Sequence, residues 1–219
     1  MLPRKNVWLF FEGKMNGLYL ITAPLPTKKL LDLVQKAISG GVSVVQLRDK
    51  LASEEEILEK GKMLLPMLKQ ANIPLVINDH WCVAKKLGVG LHIGMDDGDP
   101  QEARKFLGND ALLGITVHTQ IDRILRFQHI VNYVGVGPIF PTATKKDTKP
   151  VCGLYGLNEM VRQSPLPVVA IGGINASNIA SVAMAGPDAI AVCSAICSST
   201  DPLKETRFLV RSINENRTA

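Results

Sequence analysis

The segment densest in reactive side chains runs Gly137-Pro-Ile-Phe-Pro-Thr142-Ala-Thr144-Lys145-Lys146-Asp147-Thr148. Hydroxyls at Thr142 and Thr144 and ammonium groups at Lys145 and Lys146 stand between prolines and a glycine. Such a cluster suits an anion-binding loop or a mobile lid. A solvated loop is the plainer reading, and the length of the connection counts against it. A second cationic group, Gln46-Leu-Arg48-Asp-Lys50, spaces two cations at i, i+2 on one side of an extended segment, where they can hold a phosphate or diphosphate. A solvated strand end with a salt bridge to Asp49 explains the same residues equally well. Asn78-Asp79 and His92-Ile-Gly94-Met-Asp96-Asp97 bring carboxylates. Gly114-Ile-Thr116-Val-His118-Thr119 brings a hydroxyl and an imidazole, although a single histidine such as His118 is more often a satisfied structural group than a base. Ile171-Gly172-Gly173-Ile174-Asn175 and Cys193-Ser194-Ala195-Ile196 bring glycines, which let backbone approach a ligand, and free N–H groups at helix starts.

Each of these clusters follows a short apolar run. The candidate strands are Leu18–Ile21, Ser43–Leu47, Leu75–Ile77, Gly90–Ile93, Ala111–Ile115, Asn132–Val136, Val168–Ile171 and Ala189–Val192. Periodicity alone does not separate such runs from buried helix, so their flanks decide. Thr27 is placed to cap a helix with Leu30, Leu31, Val34, Ala37 and Ile38 on one face, ended by Gly40-Gly41. Ser53 and Glu56 have capping-box spacing ahead of Ile57, Leu58, Leu64, Leu65 and Leu68. Asp201-Pro202 precedes a last helix carrying Leu203, Phe208, Leu209 and Ile213. Eight strand–helix units at about 25 residues each read as one small (β/α)8 barrel, with a doubly wound open sheet as the alternative. Residues 1–16 read as an N-terminal extension and 17–219 as the barrel, with a helix over the barrel floor and a start at Met15 both left open.

In such a barrel the active site lies at the strand C-termini. Neighbouring strands are about 4.8 Å apart, so carboxylates at consecutive strand ends, Asp79 and Asp97, can converge. Beside Arg48 and Lys50 they suggest Mg²⁺ shared with a substrate diphosphate. Helix capping by Asp97 and Asp99 is the plainer explanation for those two residues, and it does not account for Asp79. The glycines and Ser194 at the last two strands make a second, metal-free phosphate site. The pattern implies a diphosphate substrate joined to, or exchanged with, a monophosphate.

Composition sets limits. The chain has 219 residues, 46% hydrophobic and 21% charged, which suits one large domain or two small ones and excludes a disordered chain. The apolar run at Val7–Phe11 is five residues closed by Glu12, far short of a membrane span, and it lacks the features of a secretory signal. A cytoplasmic protein without a membrane partner is expected. Net charge is +5 with aromatics at 5%, and scattered basic residues give no nucleic-acid patch. Cys82, Cys152, Cys193 and Cys197 form no metal set and read as reduced, mostly buried thiols.

QLRDK, IND, HIGxxD, GITVHT, GPIFPTATKKDT, AIGGI and SAI, in this order and spacing, resemble the thiamine-phosphate synthase family from about Gly17 to the last helix. The TxTKKDT loop together with QxRxK is the specific part; IGGI is shared with other phosphate-binding barrels. The resemblance implies a transferase that joins hydroxymethylpyrimidine diphosphate to hydroxyethylthiazole phosphate, giving thiamine phosphate and diphosphate, with Mg²⁺ as cofactor and a dissociative course. It implies that Gln46, Arg48, Lys50 and Asn78 hold the pyrimidine diphosphate, and that Asp79 and Asp97 bind Mg²⁺. Thr116 stands where the family usually has serine, and Lys145 is implied to contact the diphosphate. Arg48, Lys50, Thr116 and Lys145 are thus the catalytic candidates, and Thr142, Thr144, Gly173, Cys193 and Ser194 line the thiazole phosphate site. Met95 and Cys152 stand where the family commonly has glutamine. Two alternatives stay open: a thiazole tautomerase-like isomerase with His118 as catalyst, and a non-catalytic thiazole phosphate binder. The partners expected are small molecules, and oligomeric state is left open.

Overall fold

The computed structural model describes residues 15–142 and 150–217. Within them, eight parallel strands close into a barrel in sequence order. The strands are β1 (Gly17–Ile21), β2 (Val44–Leu47), β3 (Leu75–Asn78), β4 (Gly90–Ile93), β5 (Leu113–Thr116), β6 (Tyr133–Val136), β7 (Val168–Ile171) and β8 (Ala189–Val192). Helices alternate with them: α1 (Thr27–Gly40), α2 (Glu54–Gln70), α3 (Trp81–Leu87), α4 (Pro100–Leu107), α5 (Ile121–Phe127), α6 (Gly153–Gln163) and α7 (Ile179–Met184). After β8 come a four-residue helix α8 (Ser194–Cys197) and the last long helix α9 (Pro202–Asn216). Closure of β1 on β8, with Tyr19 opposite Ala191, decides for the barrel over an open sheet.

Both faces of each strand are buried, which is why the strands read as unbroken apolar runs rather than alternating ones. Outward residues such as Leu20, Leu47 and Ile77 join the layer between sheet and helices, while Tyr19, Val44, Val76, Tyr133, Val169 and Ala191 fill the interior. Met15, just ahead of β1, is buried with the interior group. The N-terminal segment 1–14 lies outside the described residues. Interior space is shared between large and small partners: a Cβ on Gly114 of β5 would stand 2.1 Å from Cζ of Tyr133. Only glycine leaves room there for a phenol inside so narrow a barrel.

The helix ends follow local chemistry, with two differences from expectation. Ser53 and Glu56 form the reciprocal capping box, and Asp201 accepts from the Lys204 amide ahead of Pro202. Thr27, however, is the first helical residue of α1 and not its cap; the preceding position is Pro26, which gives no side-chain hydrogen bond. On α9 the buried positions are Thr206, Leu209 and Ile213, whereas Phe208 is turned outward. The cysteines also differ from expectation, for Cys82 is exposed and the other three are half-buried.

Candidate active site

Strand register places the inward-facing residue at the C-terminal end of each strand on one rim. Asn78 of β3 is opposite His92 of β4, and Thr116 of β5 is opposite Gly135 of β6. A pocket opens on this rim, lined by Gln46, Arg48, Lys50, Asn78, Asp79, Asp97, Thr116, Thr142, Gly173, Cys193 and Ser194 among others. Eleven sequence-derived candidates therefore share one cavity. Thr144 and Lys145 lie outside the described residues.

The ambiguity at Arg48-Asp49-Lys50 is resolved by a residue on the next helix. Asp49 turns away from both neighbours and accepts from the Lys60 ammonium at 2.7 Å, with a second bond from the Leu51 amide at 3.1 Å. Burial acts to raise the Asp49 carboxyl, but Lys60 and the loop amides outweigh it and hold it below the usual carboxylate range. Thr22, fully buried, grips the Arg48 backbone, accepting from its amide at 3.0 Å. Arg48 and Lys50 are thus pinned at their roots with their charged ends directed to the pocket.

Asp79 and Asp97 converge as their positions at consecutive strand ends suggested. The Lys50 ammonium stands 3.1 Å from Asp79 Oδ2 and 3.8 Å from Asp97 Oδ1. Asp79 has φ +63°, a left-handed conformation that costs a non-glycine residue on the order of 1–3 kcal/mol. Its Oδ2 accepts from Asn78 Nδ2, while its Oδ1 is buried without a partner. Asp97 folds back over Gly94, where a Cβ would stand 2.0 Å from Asp97 Oδ2. Capping of α4 is the work of Asp99 alone, which accepts from the Gln101 and Glu102 amides. An orphaned buried carboxylate oxygen, a second carboxylate and a glycine that clears its path form a donor set that fits a hard divalent cation completed by phosphate and water.

The floor of the pocket carries a network that the sequence motifs do not reveal. Gln46 Nε2 donates to the Tyr19 hydroxyl at 2.8 Å, which lies 3.0 Å from the Tyr133 hydroxyl. Tyr133 is 3.0 Å from His92 Nδ1, and His92 Nε2 is 3.1 Å from Thr116 Oγ1. Burial pushes both phenols up, so both stay protonated. One direction of donation runs from Gln46 through the phenols and imidazole to Thr116, leaving the Thr116 proton for a ligand. Tyr19 and Tyr133 are 114 residues apart, so no local motif pairs them; the one signal was a phenol inside each of two aliphatic strand runs.

His118 also lines the pocket, but both its ring nitrogens have partners: Nε2 lies 2.8 Å from the Pro150 carbonyl and Nδ1 3.0 Å from Thr119 Oγ1. Gly172 and Gly173 have positive φ, and a Cβ on either would meet the Pro138–Pro141 backbone, at 2.5 Å from Pro138 Cα and 2.6 Å from Pro141 O. They serve first to seat the loop after β6 against the end of β7.

The family model described as thiamine monophosphate synthase matches residues 18–196. The chain belongs to this family. A thiamine-phosphate synthase of Leptospira biflexa is 42% identical over 202 residues, covering 89% of this chain and 96% of its own. One from a Psychrobacter species is likewise 42% identical, covering 89% and 93%. Among solved structures, a thiamine phosphate pyrophosphorylase of Pyrococcus furiosus superposes with a TM-score of 0.81 at 30% identity, over 92% of this chain and 96% of that one. A 3-hexulose-6-phosphate synthase, 17% identical with a TM-score of 0.68, shares the barrel. Thiamine-phosphate synthases are transferases, and this chain is one of that family. The matched region runs from Leu18 in β1 to Ile196 in the short helix after β8, so every described candidate residue falls inside it.

Proposed function

We propose that this pocket joins hydroxymethylpyrimidine diphosphate to hydroxyethylthiazole phosphate, releasing diphosphate and thiamine phosphate, with Mg²⁺ held by Asp79 and Asp97. The observation that carries this reading is the convergence of those two carboxylates on the Lys50 ammonium, beside Arg48. A site for one cation, flanked by two more positive groups, suits a group with several negative oxygens. When bound, the cation would neutralise charge growing on the departing diphosphate.

The remaining work falls to the chain's own groups. Arg48 and Lys50 bind diphosphate oxygens, with Lys145 from the loop after β6, and favour the C–O cleavage that leaves charge on them. Gln46 and Asn78 face the pyrimidine, and Thr116, oriented by His92, donates to it. Thr142, Thr144, Gly173, Cys193 and Ser194 seat the thiazole phosphate so that its ring nitrogen faces the pyrimidine methylene. A dissociative course needs no base to create the nucleophile, which accords with His118 being bound to the Pro150 carbonyl. It does need water kept out, since water would capture the same pyrimidine-methylene cation.

The test is product formation from both phosphorylated substrates, with Mg²⁺ and with EDTA. Thiamine phosphate and diphosphate in equal amounts, only with metal, are expected. Equal rates in EDTA would remove the metal assignment, and conversion of the thiazole phosphate alone would favour an isomerase.

A further inference from the structure

Cys193 helps to seat the thiazole phosphate in the reading above and Cys197 has no part in it, yet the placement of the pair is specific. Cys193 immediately precedes α8 and Cys197 ends it, with the Cys197 amide donating to the Cys193 carbonyl at 2.9 Å. An α-turn of this kind holds the two Cα atoms about 6 Å apart, within the Cα span of disulfides, and closing the bond needs this short turn to tighten so that the Cβ atoms come from about 5–6 Å to about 4 Å. The two thiols are close enough for one to donate to the other. Cys197 is turned inward, with its sulfur 3.6 Å from the Ile21 carbonyl, while Cys193 lines the open pocket.

Charge divides the pair. The Cys197 hydrogen bond, against burial and with help from the Arg48 guanidinium, holds the Cys193 thiol below its usual range. The same bond and burial push Cys197 up. One sulfur is therefore placed as a solute-facing nucleophile and the other as a protonated neighbour. The remaining cysteines lack this arrangement: burial pushes Cys152 up and its sulfur faces the Pro138 carbonyl, and exposed Cys82 has no thiol partner.

We propose that Cys193 is a covalent modification site that takes small hydroperoxides, and that Cys197 is the resolving thiol beside it. The Cys193 sulfur attacks the outer peroxide oxygen; the O–O bond breaks, water or an alcohol departs, and a sulfenic acid is left. Cys197 sulfur then attacks Cys193 sulfur; the S–O bond breaks, a second water departs and a disulfide forms. Two thiols supply the two electrons that one peroxide takes up. The product lies in the pocket wall, next to Ser194 and across from Arg48.

The experiment uses the full chain exposed to hydrogen peroxide, capped with a maleimide and cleaved with trypsin. Cys193 and Cys197 share the peptide from Gln163 to Lys204, while Cys82 and Cys152 fall on others. That peptide is expected to lose two hydrogens and refuse maleimide about tenfold faster than the Cys82 peptide does, and to recover with dithiothreitol. In Cys197→Ser, which leaves turnover before oxidation unchanged, Cys193 is expected to accumulate a dimedone adduct in place of the disulfide. Oxidation of Cys82 first, or maleimide uptake by both Cys193 and Cys197 after peroxide, would overturn the proposal. So would the same selectivity in urea, since the folded geometry would then have no part in it. Every readout is a mass and none depends on the reaction that the pocket performs.

Discussion

Asp49 accepts the Lys60 ammonium at 2.7 Å, and in doing so leaves Arg48 and Lys50, its two chain neighbours, to the pocket. Both partners are largely shielded, with side-chain exposures of 7% and 13%. Removing one charge would strand the other, so the pair is a fixed joint between β2 and α2 on which the cationic rim depends.

Asp49→Asn is therefore expected to destabilise the fold by about 3 kcal/mol at pH 7. Because the folded Asp49 carboxyl is depressed, its contribution is fully present above the unfolded value of about 3.9 and is lost as pH falls through the lower folded value. Urea unfolding across pH 2–7 checks this. The wild-type and variant curves should approach each other at the acid end, and a gap independent of pH would place the effect elsewhere.

Asp79→Asn is expected to lower turnover by at least about a hundredfold, roughly 2.7 kcal/mol of barrier, while the melting temperature moves little. Turnover measured against Mg²⁺ concentration is the check. A wild-type rate at limiting Mg²⁺ would show that Asp79 holds no metal.

Gly94→Ala tests the same site without touching a carboxylate. Gly94 has no positive φ, so the backbone accepts alanine, but the new methyl enters the place of Asp97 Oδ2. Asp97 must then swing aside. The Mg²⁺ concentration for half-maximal rate is expected to rise about tenfold, with maximal rate restored at high Mg²⁺; an unchanged Mg²⁺ response would separate Asp97 from the metal.

Tyr133→Phe cuts the floor network at its centre and leaves Tyr19 and His92 each without one partner. A stability loss of about 1–3 kcal/mol is expected in thermal unfolding. Kinetically, kcat/KM should fall for the pyrimidine substrate, since Gln46 and Thr116 lie at the two ends of the chain of bonds. The KM for thiazole phosphate should stay near wild type, and an equal loss on both substrates would contradict a local role.

Fold and rim were legible in the sequence for one physical reason. A parallel barrel buries both strand faces, so Val168–Ile171 or Ala189–Val192 stands out as a short aliphatic run, and the candidate site residues directly follow such runs. Asp79 and Asp97 could be paired because consecutive strands are also neighbours in space. The same logic fails across the barrel: Tyr19, His92 and Tyr133 meet only because the sheet closes, and nothing near each of them in sequence names the others. Lys60 was hidden differently, as one more cation on the polar side of a helix whose true partner lies in the preceding loop. Thr27 misled because a proline one position earlier had already set the turn.

The seating of the loop after β6 has a consequence for how such an enzyme can change. Ile139 and Phe140 donate to the Ile171 and Gly172 carbonyls, and the Cys152 amide returns to the Pro138 carbonyl, each at 3.0 Å. Chain therefore leaves the barrel and comes back to it at one fastened point, with Gly172 and Gly173 leaving no slack beneath. The stretch between Phe140 and Cys152 is in effect an exchangeable cassette. Those fastenings are backbone hydrogen bonds, so side chains between them can be exchanged while the eight strands keep their register.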